Sequence, residues 1–283
     1  MDALAMCDPR HAKVRGYAGP VGKVRLDSLL AERGLYESRS RAAAAVMAGH
    51  VRLGAEGRPA DKPGQLVPGD VAVEVAQAPP YVSRGGVKLA NALDALDVDP
   101  ADRMCLDAGA STGGFTDCLL QRGAAHVVAV DVAYGELHWR IRNHPRVTVV
   151  ERANARELDP AALPYRPDLV TIDVSFISLA KVLEPVLGAA APRFDCLALV
   201  KPQFEAGRER VGKGGVVRDA AVRREALVGV GEAARALGHS VLGFASSGLP
   251  GPAGNRESFA WIAEAGRSGA LEDIEAAARV VEP

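Results

Sequence analysis

Cysteine is scarce in this chain of 283 residues, and the four present are scattered. Cys7, Cys105, Cys118 and Cys196 form no Cys-x-x-Cys pair, and three lie in or beside apolar runs. That excludes a disulfide framework and points to a reducing, cytoplasmic setting with buried thiols. The six histidines show no His-Glu-x-x-His or related spacing, which argues against a structural zinc, and no metal is expected. No uncharged apolar run approaches the roughly 20 residues of a membrane helix. The longest uncharged stretch, Ser240 to Asn255, is broken by glycine, proline and serine. The N-terminal MDALAMCDPRHAKVRGYAGP lacks a continuous apolar centre, so it is neither a leader nor an anchor and is expected to be a flexible tail. Excess charge is absent as well. A formal net charge of −1 does not announce a nucleic-acid binder, although binding is local and depends on distribution.

What is present is enough apolar material, 48% of residues, to bury a sizeable core. Ala76-Gln-Ala-Pro-Pro-Tyr81 is a compositional break, because Pro-Pro continues neither a ladder nor a helix. The expected organisation is a tail over 1–20, a small domain over 21–78, a linker over 79–83 and a large domain over 84–283. In the small domain, Leu26, Leu29 and Leu30 make a helix face stopped by Gly34. Ser38 or Ser40 is expected to cap a second helix that Gly49 closes. Short strands follow, at His50–Leu53, Gln65–Val67 and Asp70–Val75. From Arg10 to Arg41 the chain carries eight Lys or Arg against three acids, Asp27, Glu32 and Glu37. A basic patch on a helical pair fits phosphate contact, and equally fits a solvated helix face.

The large domain alternates strand-like apolar runs with longer helical stretches. "MCLDAGA", "HVVAVDVA", "VTVVERA", "LVTIDVSF", "CLALVKP" and "SVLGFASS" predict a doubly wound, parallel α/β sheet of six or seven strands. The first run enters Leu106-Asp-Ala-Gly-Ala-Ser-Thr-Gly-Gly-Phe115, whose glycines permit a sharp turn and close approach of a ligand. No Gly-Lys-Ser/Thr follows, so it is not a phosphate-binding P-loop, and it is not G-x-G-x-x-G. Asp131 ends the next strand where a ribose-binding acid belongs, about twenty residues on. Asp173 and Lys201 close successive strands and should emerge together at the carboxyl edge of the sheet, where open α/β sheets bind ligands.

Two resemblances join these pieces. "RLDSLLAERGLYESRSRAAAAVMAGHVRL…KPGQLVPGDVAVEV" resembles the small RNA-binding module named after ribosomal protein S-four. The resemblance implies that its helical face holds structured RNA through Lys23, Arg25, Arg39, Ser40 and Arg41. Arg84 and the basic loop residues Arg208 and Arg210 are further expected RNA contacts. The D-x-G-x-x-x-G-G loop resembles S-adenosylmethionine (SAM)-dependent methyltransferases. By that resemblance Asp107, Gly109, Ala110, Ser111, Gly113, Gly114 and Phe115 wrap the methionine end of SAM. Asp131 then takes the ribose, Asn154 lies near the adenine, and Asp173 borders the cofactor.

Lys88, Asp173, Lys201 and Glu257 match the Lys-Asp-Lys-Glu set of the FtsJ-like ribose 2′-O-methyltransferases. With "VSRGG", "YGELHWRIRN", "LVKPQFEAGRERVGKGGVVRD" and "PGPAGNRESF", the whole is similar to the TlyA family, an S-four-type module fused to an FtsJ-like domain. The resemblance implies methylation of a cytidine 2′-hydroxyl in ribosomal RNA, with Lys201 as base, Lys88 assisting, and Asp173 and Glu257 orienting them. An ordinary lysine, with a pKa of about 10.4, is a poor base at neutral pH. Partial burial and a second amine nearby both favour the neutral form.

Rival readings are a membrane-active protein of the haemolysin type, suggested by the family's older label, and a non-catalytic ribosome-binding factor. A base or protein methylase would need an Asn/Asp-Pro-Pro-Tyr/Phe motif where this chain has Asp173-Val-Ser-Phe176.

Overall fold

The computed structural model describes residues 11–14, 22–36, 38–76 and 79–283. The chain divides into two compact units, Met1–Pro80 and Tyr81–Pro283.

In the first unit, β1 (His11–Val14), β2 (Lys23–Arg25), α1 (Leu26–Glu32) and α2 (Arg39–Met47) come first. They precede β3 (Val51–Leu53), β4 (Arg58–Pro59), β5 (Leu66–Pro68) and β6 (Val73–Ala76). Four strands form an antiparallel sheet ordered β1-β6-β3-β4, and β2 pairs with β5. Leu26, Leu29 and Leu30 are fully buried against Ala42, Val46, Val51, Val67 and Val73. Small alanines on the inner face of α2 let it lie close to α1. Ser38 caps α2, its hydroxyl accepting from the Arg41 amide at 3.3 Å, and Gly49 leaves the helix at φ 74°.

Several boundaries differ from expectation: β3 begins at Val51 and not His50, and β5 runs over Leu66–Pro68 and not Gln65–Val67. The first helix starts at Leu26, because Arg25 is extended and pairs with Leu66. The last strand starts at Val73, after a turn closed by Val71 N to Pro68 O. The tail expected over 1–20 lies mostly outside the described residues, as does Cys7, but His11–Val14 pairs with β6 as a strand.

The second unit opens with α3 (Arg84–Leu96), β7 (Met104–Ala108), α4 (Gly114–Gln121), β8 (His126–Asp131), α5 (Trp139–Arg142) and β9 (Val147–Glu151). It continues with β10 (Leu169–Ile172), α6 (Leu183–Gly188), β11 (Asp195–Val200) and α7 (Pro202–Glu205). It closes with α8 (Ala220–Ala236), β12 (Ser240–Ser246), β13 (Ser258–Ala263) and α9 (Ile274–Val281). The seven-stranded sheet runs β12-β13-β11-β10-β7-β8-β9. Its strands are parallel except β13, which is antiparallel to both neighbours.

The sequence pattern predicts parallel strands; the reversal at β13 has a simple cause. Residues 247–257 contain no helix, and a parallel return needs a crossover of a dozen residues or more. Both faces are covered. Leu89, Leu93 and Leu119 of α3 and α4 pack on one, while Leu183, Leu227 and Ile274 of α6, α8 and α9 pack on the other. Strands buried on both sides read as unbroken apolar runs, and every residue of β11 is buried. Cys105, Cys118 and Cys196 are free, buried thiols. Burial raises all three, Cys118 to about 11, so they are inert packing.

Candidate active site

The strand order reverses beside β7, whose neighbours β8 and β10 lead to opposite ends of the sheet. The loop leaving β7 therefore opens into a crevice at the carboxyl edge. Gly109 turns the chain there at φ 90°, its amide donating to Val130 O at 2.8 Å. A Cβ at this position would lie 2.3 Å from the carbonyl oxygen of Asp173, so only glycine lets the ends of β7 and β10 meet. Ser111 adopts φ 48° and donates its amide to Asp131 Oδ2 at 2.7 Å. Gly113, at φ 91°, is the N-cap of α4. At Gly114 a Cβ would sit 2.1 Å from Ser83 Oγ, so the first turns of α3 and α4 touch.

Two clefts meet at this loop. The larger, of about 710 Å³, is lined by Lys88, Asp173, Lys201 and Glu257 together with Ala110 and Phe115. The smaller, of about 530 Å³, is lined by Asp131 and Asn154 and by the apolar Val130, Val174, Ile177 and Val182. Gly109, Ser111, Asp173, Ser175 and Phe176 form their common wall. The four charged residues, scattered from position 88 to 257, thus converge on one cavity. Lys88 projects from the buried side of α3 and, only 7% exposed, makes an ion pair with Glu257, which is 2% exposed. Charges this far from water persist only when paired. Lys201 follows β11 and contacts Asp173 Oδ1 at 2.5 Å and Ser175 Oγ at 2.9 Å. Glu257 precedes a strand, whereas Asp173 and Lys201 follow theirs. The reversal of β13 brings it to the same edge, with Ser258 opposite Val200.

Asp107 has a different place from the one its neighbours suggest. It is fully buried beneath the loop and lines neither cleft. Thr116 and Thr171 donate to its two oxygens at 2.7 and 3.2 Å. Burial pushes it up to about 7, against the pull of Thr116, and the nearby Asp173 carboxylate adds to the rise. Its part is to support the turn from inside. Asp131 faces the smaller cleft while also accepting from the Ala133 amide at 2.8 Å. Asn154 caps the short turn after β9 by accepting from Arg156 N at 3.1 Å. Of the loop, Gly109, Ala110, Ser111, Gly114 and Phe115 reach the larger cleft, whereas Gly113 does not line it. Phe115 is 3% exposed and packs on Phe259, centroids 5.8 Å apart.

Sequence reasoning missed Ser175 and left Phe176 without a role. Phe176 is 92% exposed at φ 64°, on the wall of both clefts, with its ring 5.3 Å from Phe204. An aromatic one residue beyond a strand-end Asp-Val-Ser was the available signal. Of the other aromatics, Tyr134 is exposed under Arg152, 4.5 Å from its centroid, and Trp139 is exposed. Trp261 is packing, its indole donating to Asp195 at 3.0 Å.

In the first unit, Lys23, Arg25, Arg39, Ser40 and Arg41 are all exposed. Asp27 is buried and organises two of them. Arg25 donates to both its oxygens, at 3.1 and 2.7 Å, and Arg39 lies 3.7 Å away. The Arg25 hydrogen bond holds the Asp27 carboxyl below its usual range, against the opposing effect of burial. Arg33, counted in the basic excess, instead donates to Val71 O and Gly69 O at 2.8 and 2.7 Å. In the second unit Arg84 donates to Pro250 O at 2.6 Å, Arg208 is exposed, and Arg210 is held by Glu225 and Ala206 O. Among the described residues, no cluster of His, Cys, Asp and Glu could hold a metal, and no helix is long and apolar enough to cross a membrane.

A seven-stranded sheet with one reversed strand, a glycine turn at its switch point and a cofactor-sized crevice beside it define a Rossmann-like methyltransferase unit. Residues 81–263 match FtsJ-like methyltransferase and residues 24–73 match the S4 domain. The chain is 50% identical over 242 residues to the 16S/23S rRNA (cytidine-2′-O)-methyltransferase TlyA of Mycobacterium tuberculosis, covering 85% of this chain and 90% of the relative. It is 38% identical to Hemolysin A of Brachyspira hyodysenteriae, covering 72% and 85% of the two chains. A solved structure named as a hemolysin, from Streptococcus thermophilus, superposes with a TM-score of 0.68 at 37% identity, covering 92% of this chain and 96% of that one. The protein belongs to the TlyA family of FtsJ-like methyltransferases.

Proposed function

We propose that the protein transfers a methyl group from SAM to the 2′-hydroxyl of a cytidine in ribosomal RNA, in the cytoplasm. Residues 21–78 serve as the RNA-binding module and the segment from 84 onward as the catalytic one. The observation that carries this reading is the convergence of two lysine–carboxylate pairs on one cleft, continuous with a second cleft lined by Asp131 and Asn154. The names of the relatives support the substrate. The Mycobacterium tuberculosis protein is named for 16S and 23S rRNA, and a 33% identical Campylobacter jejuni relative for 23S rRNA alone.

The residues fit SAM. The glycine turn leaves room for a ligand against the backbone, and Asp131 retains lone pairs for a ribose diol while holding two amides. The apolar side chains of the smaller cleft, near Asn154, suit a purine. Bound there, SAM supplies an already activated methyl group on a sulfonium centre, so the protein has to position and deprotonate the acceptor. Lys201, steered by Asp173 and Ser175, first releases its own proton to solvent and, as the neutral amine, takes the proton from the 2′-hydroxyl. Lys88, fixed by Glu257, steadies the oxygen as its charge develops. Phe176, presented to solvent beside Phe204, offers a face on which the target base stacks. Arg25, Arg39, Lys23, Ser40 and Arg41 hold the RNA backbone, with Arg84 on the wall of the larger cleft and Arg208 as a further contact.

Positioning of this kind supplies on the order of 7–11 kcal/mol, and a general base about 10²–10⁴-fold. Mapping of ribose methylation on rRNA from cells with and without the gene tests the substrate. A Lys201→Ala protein that methylates rRNA at the native rate would sink the assignment of the base.

A further inference from the structure

Two segments carry the reacting groups at the carboxyl edge of the large sheet. One, residues 173–179, follows β10; the other, residues 201–205, follows β11. Three links between them lie at the clefts: Asp173 with Lys201, Ser175 with Lys201, and the Phe176 ring with Phe204. A fourth lies behind. Glu205 Oε2 accepts from Ser178 Oγ at 2.6 Å, and its Oε1 accepts from the Leu179 amide at 2.8 Å.

The Glu205 carboxylate lines neither cleft. It is largely withdrawn from water. Burial pushes its pKa up, and the two hydrogen bonds from Ser178 and Leu179 pull it back down. A carboxylate in such surroundings is costly unless its partners are in place. The loop that it grips needs a restraint. Phe176 sits at φ 64° with its ring in solvent, a conformation that persists only where the surroundings over-determine it. One end of the loop is fixed by β10. The other end is fixed by Glu205, across a turn that begins with Lys201 itself.

We infer that Glu205 is a positioning residue for methyl transfer: it clamps the far end of the Asp173 loop to the turn bearing Lys201, and so sets Asp173, Ser175 and Phe176 relative to the base. This rests on the methyl-transfer reading above. A carboxylate suits the task because its two oxygens receive two donors one residue apart. Glutamine keeps the clamp in another form, since its oxygen accepts from Leu179 N–H and its amide donates to Ser178 Oγ. Alanine removes it.

The test uses the full chain, tritiated SAM and unmethylated rRNA transcribed in vitro, at a temperature well below the melting point of every variant. Glu205→Ala is expected to slow single-turnover transfer by about tenfold to a hundredfold, the scale of an ångström of misplacement, with SAM affinity unchanged. Glu205→Gln should keep most of the native rate. Ser178→Ala, which removes one of the two hydrogen bonds, should fall between, and the double variant should be no slower than Glu205→Ala, because that change already removes the Ser178 contact. A lowered melting temperature with a native rate per folded molecule would make Glu205 merely structural and overturn the inference. Equal losses in Glu205→Gln and Glu205→Ala would also overturn it, since charge rather than the clamp would then matter. If Glu205→Ala does not fold, a native rate in Ser178→Ala overturns it instead. Absence of transfer by the native protein would remove the methyl-transfer reading and this inference together.

Discussion

Substituting Gly109 with alanine tests the geometry on which the site depends. The added Cβ would lie 2.3 Å from the Asp173 carbonyl oxygen. An ordinary carbon–oxygen contact is about 3.3 Å or more, so one strand end must move by about 1 Å. Because φ is 90° at this position, an L-residue there carries a backbone cost of about 1–2 kcal/mol. Forcing an extra methyl group into a packed contact adds about 1–3 kcal/mol. The expected loss of stability is therefore about 2–5 kcal/mol, readable as a shift in the denaturant midpoint. The displacement falls on Asp173, which holds Lys201, and on the wall common to both clefts. Transfer should therefore slow by about a hundredfold in molecules that remain folded, and SAM affinity should fall with it. Stopped single-turnover transfer and equilibrium SAM binding, both measured below the variant's melting temperature, separate the two effects. A folded Gly109→Ala protein with native affinity and native rate would refute the reasoning, because the closest backbone approach in the site would then be irrelevant to it.

Asp107 should leave a signature in stability against pH. Its folded-state pKa is raised to about 7, so the folded protein holds this proton more tightly than the unfolded chain. Its contribution is therefore most favourable below about pH 4 and is lost as pH rises to about 7, a change of at most about 4 kcal/mol. Asp107→Asn should gain on the native protein in urea midpoints between pH 4 and pH 8; a constant difference across that range contradicts this. Asp27→Ala should weaken binding of an rRNA fragment although it removes a negative charge, because Arg25 and Arg39 lose their common anchor. Tighter binding in a filter or anisotropy assay would show that Asp27 acts only as a repelling charge. Phe176→Ala, at a side chain 92% exposed, should leave the melting temperature unchanged and lower transfer to RNA measured at saturating SAM. An unaltered rate would exclude base stacking on this ring.

Strand ends were the most readable part of the site. Alternating apolar runs put Asp173 and Lys201 at one edge, and the glycine pattern put a sharp turn beside them, because burial on both faces writes itself into composition. The pairing inside the site was not readable. Lys88 and Glu257 stand 169 positions apart, and their meeting depends on a strand that runs backwards. Local pattern carries hydrophobicity but not direction. Charge counting was similarly blind to partners. Arg33, in the basic tally, and Arg210, an expected RNA contact, are held by neighbouring groups, whereas Asp27, tallied against the basic excess, orders two of the arginines. Asp107 fits the motif of a cofactor contact, but depth below the surface is a property of packing. Phe176 was visible as a residue type, and its exposure follows from a backbone angle that no composition records.

The reversed strand has a consequence for when the protein becomes active. Lys88 is made early and its counter-ion Glu257 late, and Glu257 reaches the carboxyl edge only once β13 has slotted between β11 and β12. The glycine turn, Asp173 and Lys201 all precede it in the chain. The group of four charges is thus completed only when the last strand of the sheet is in place.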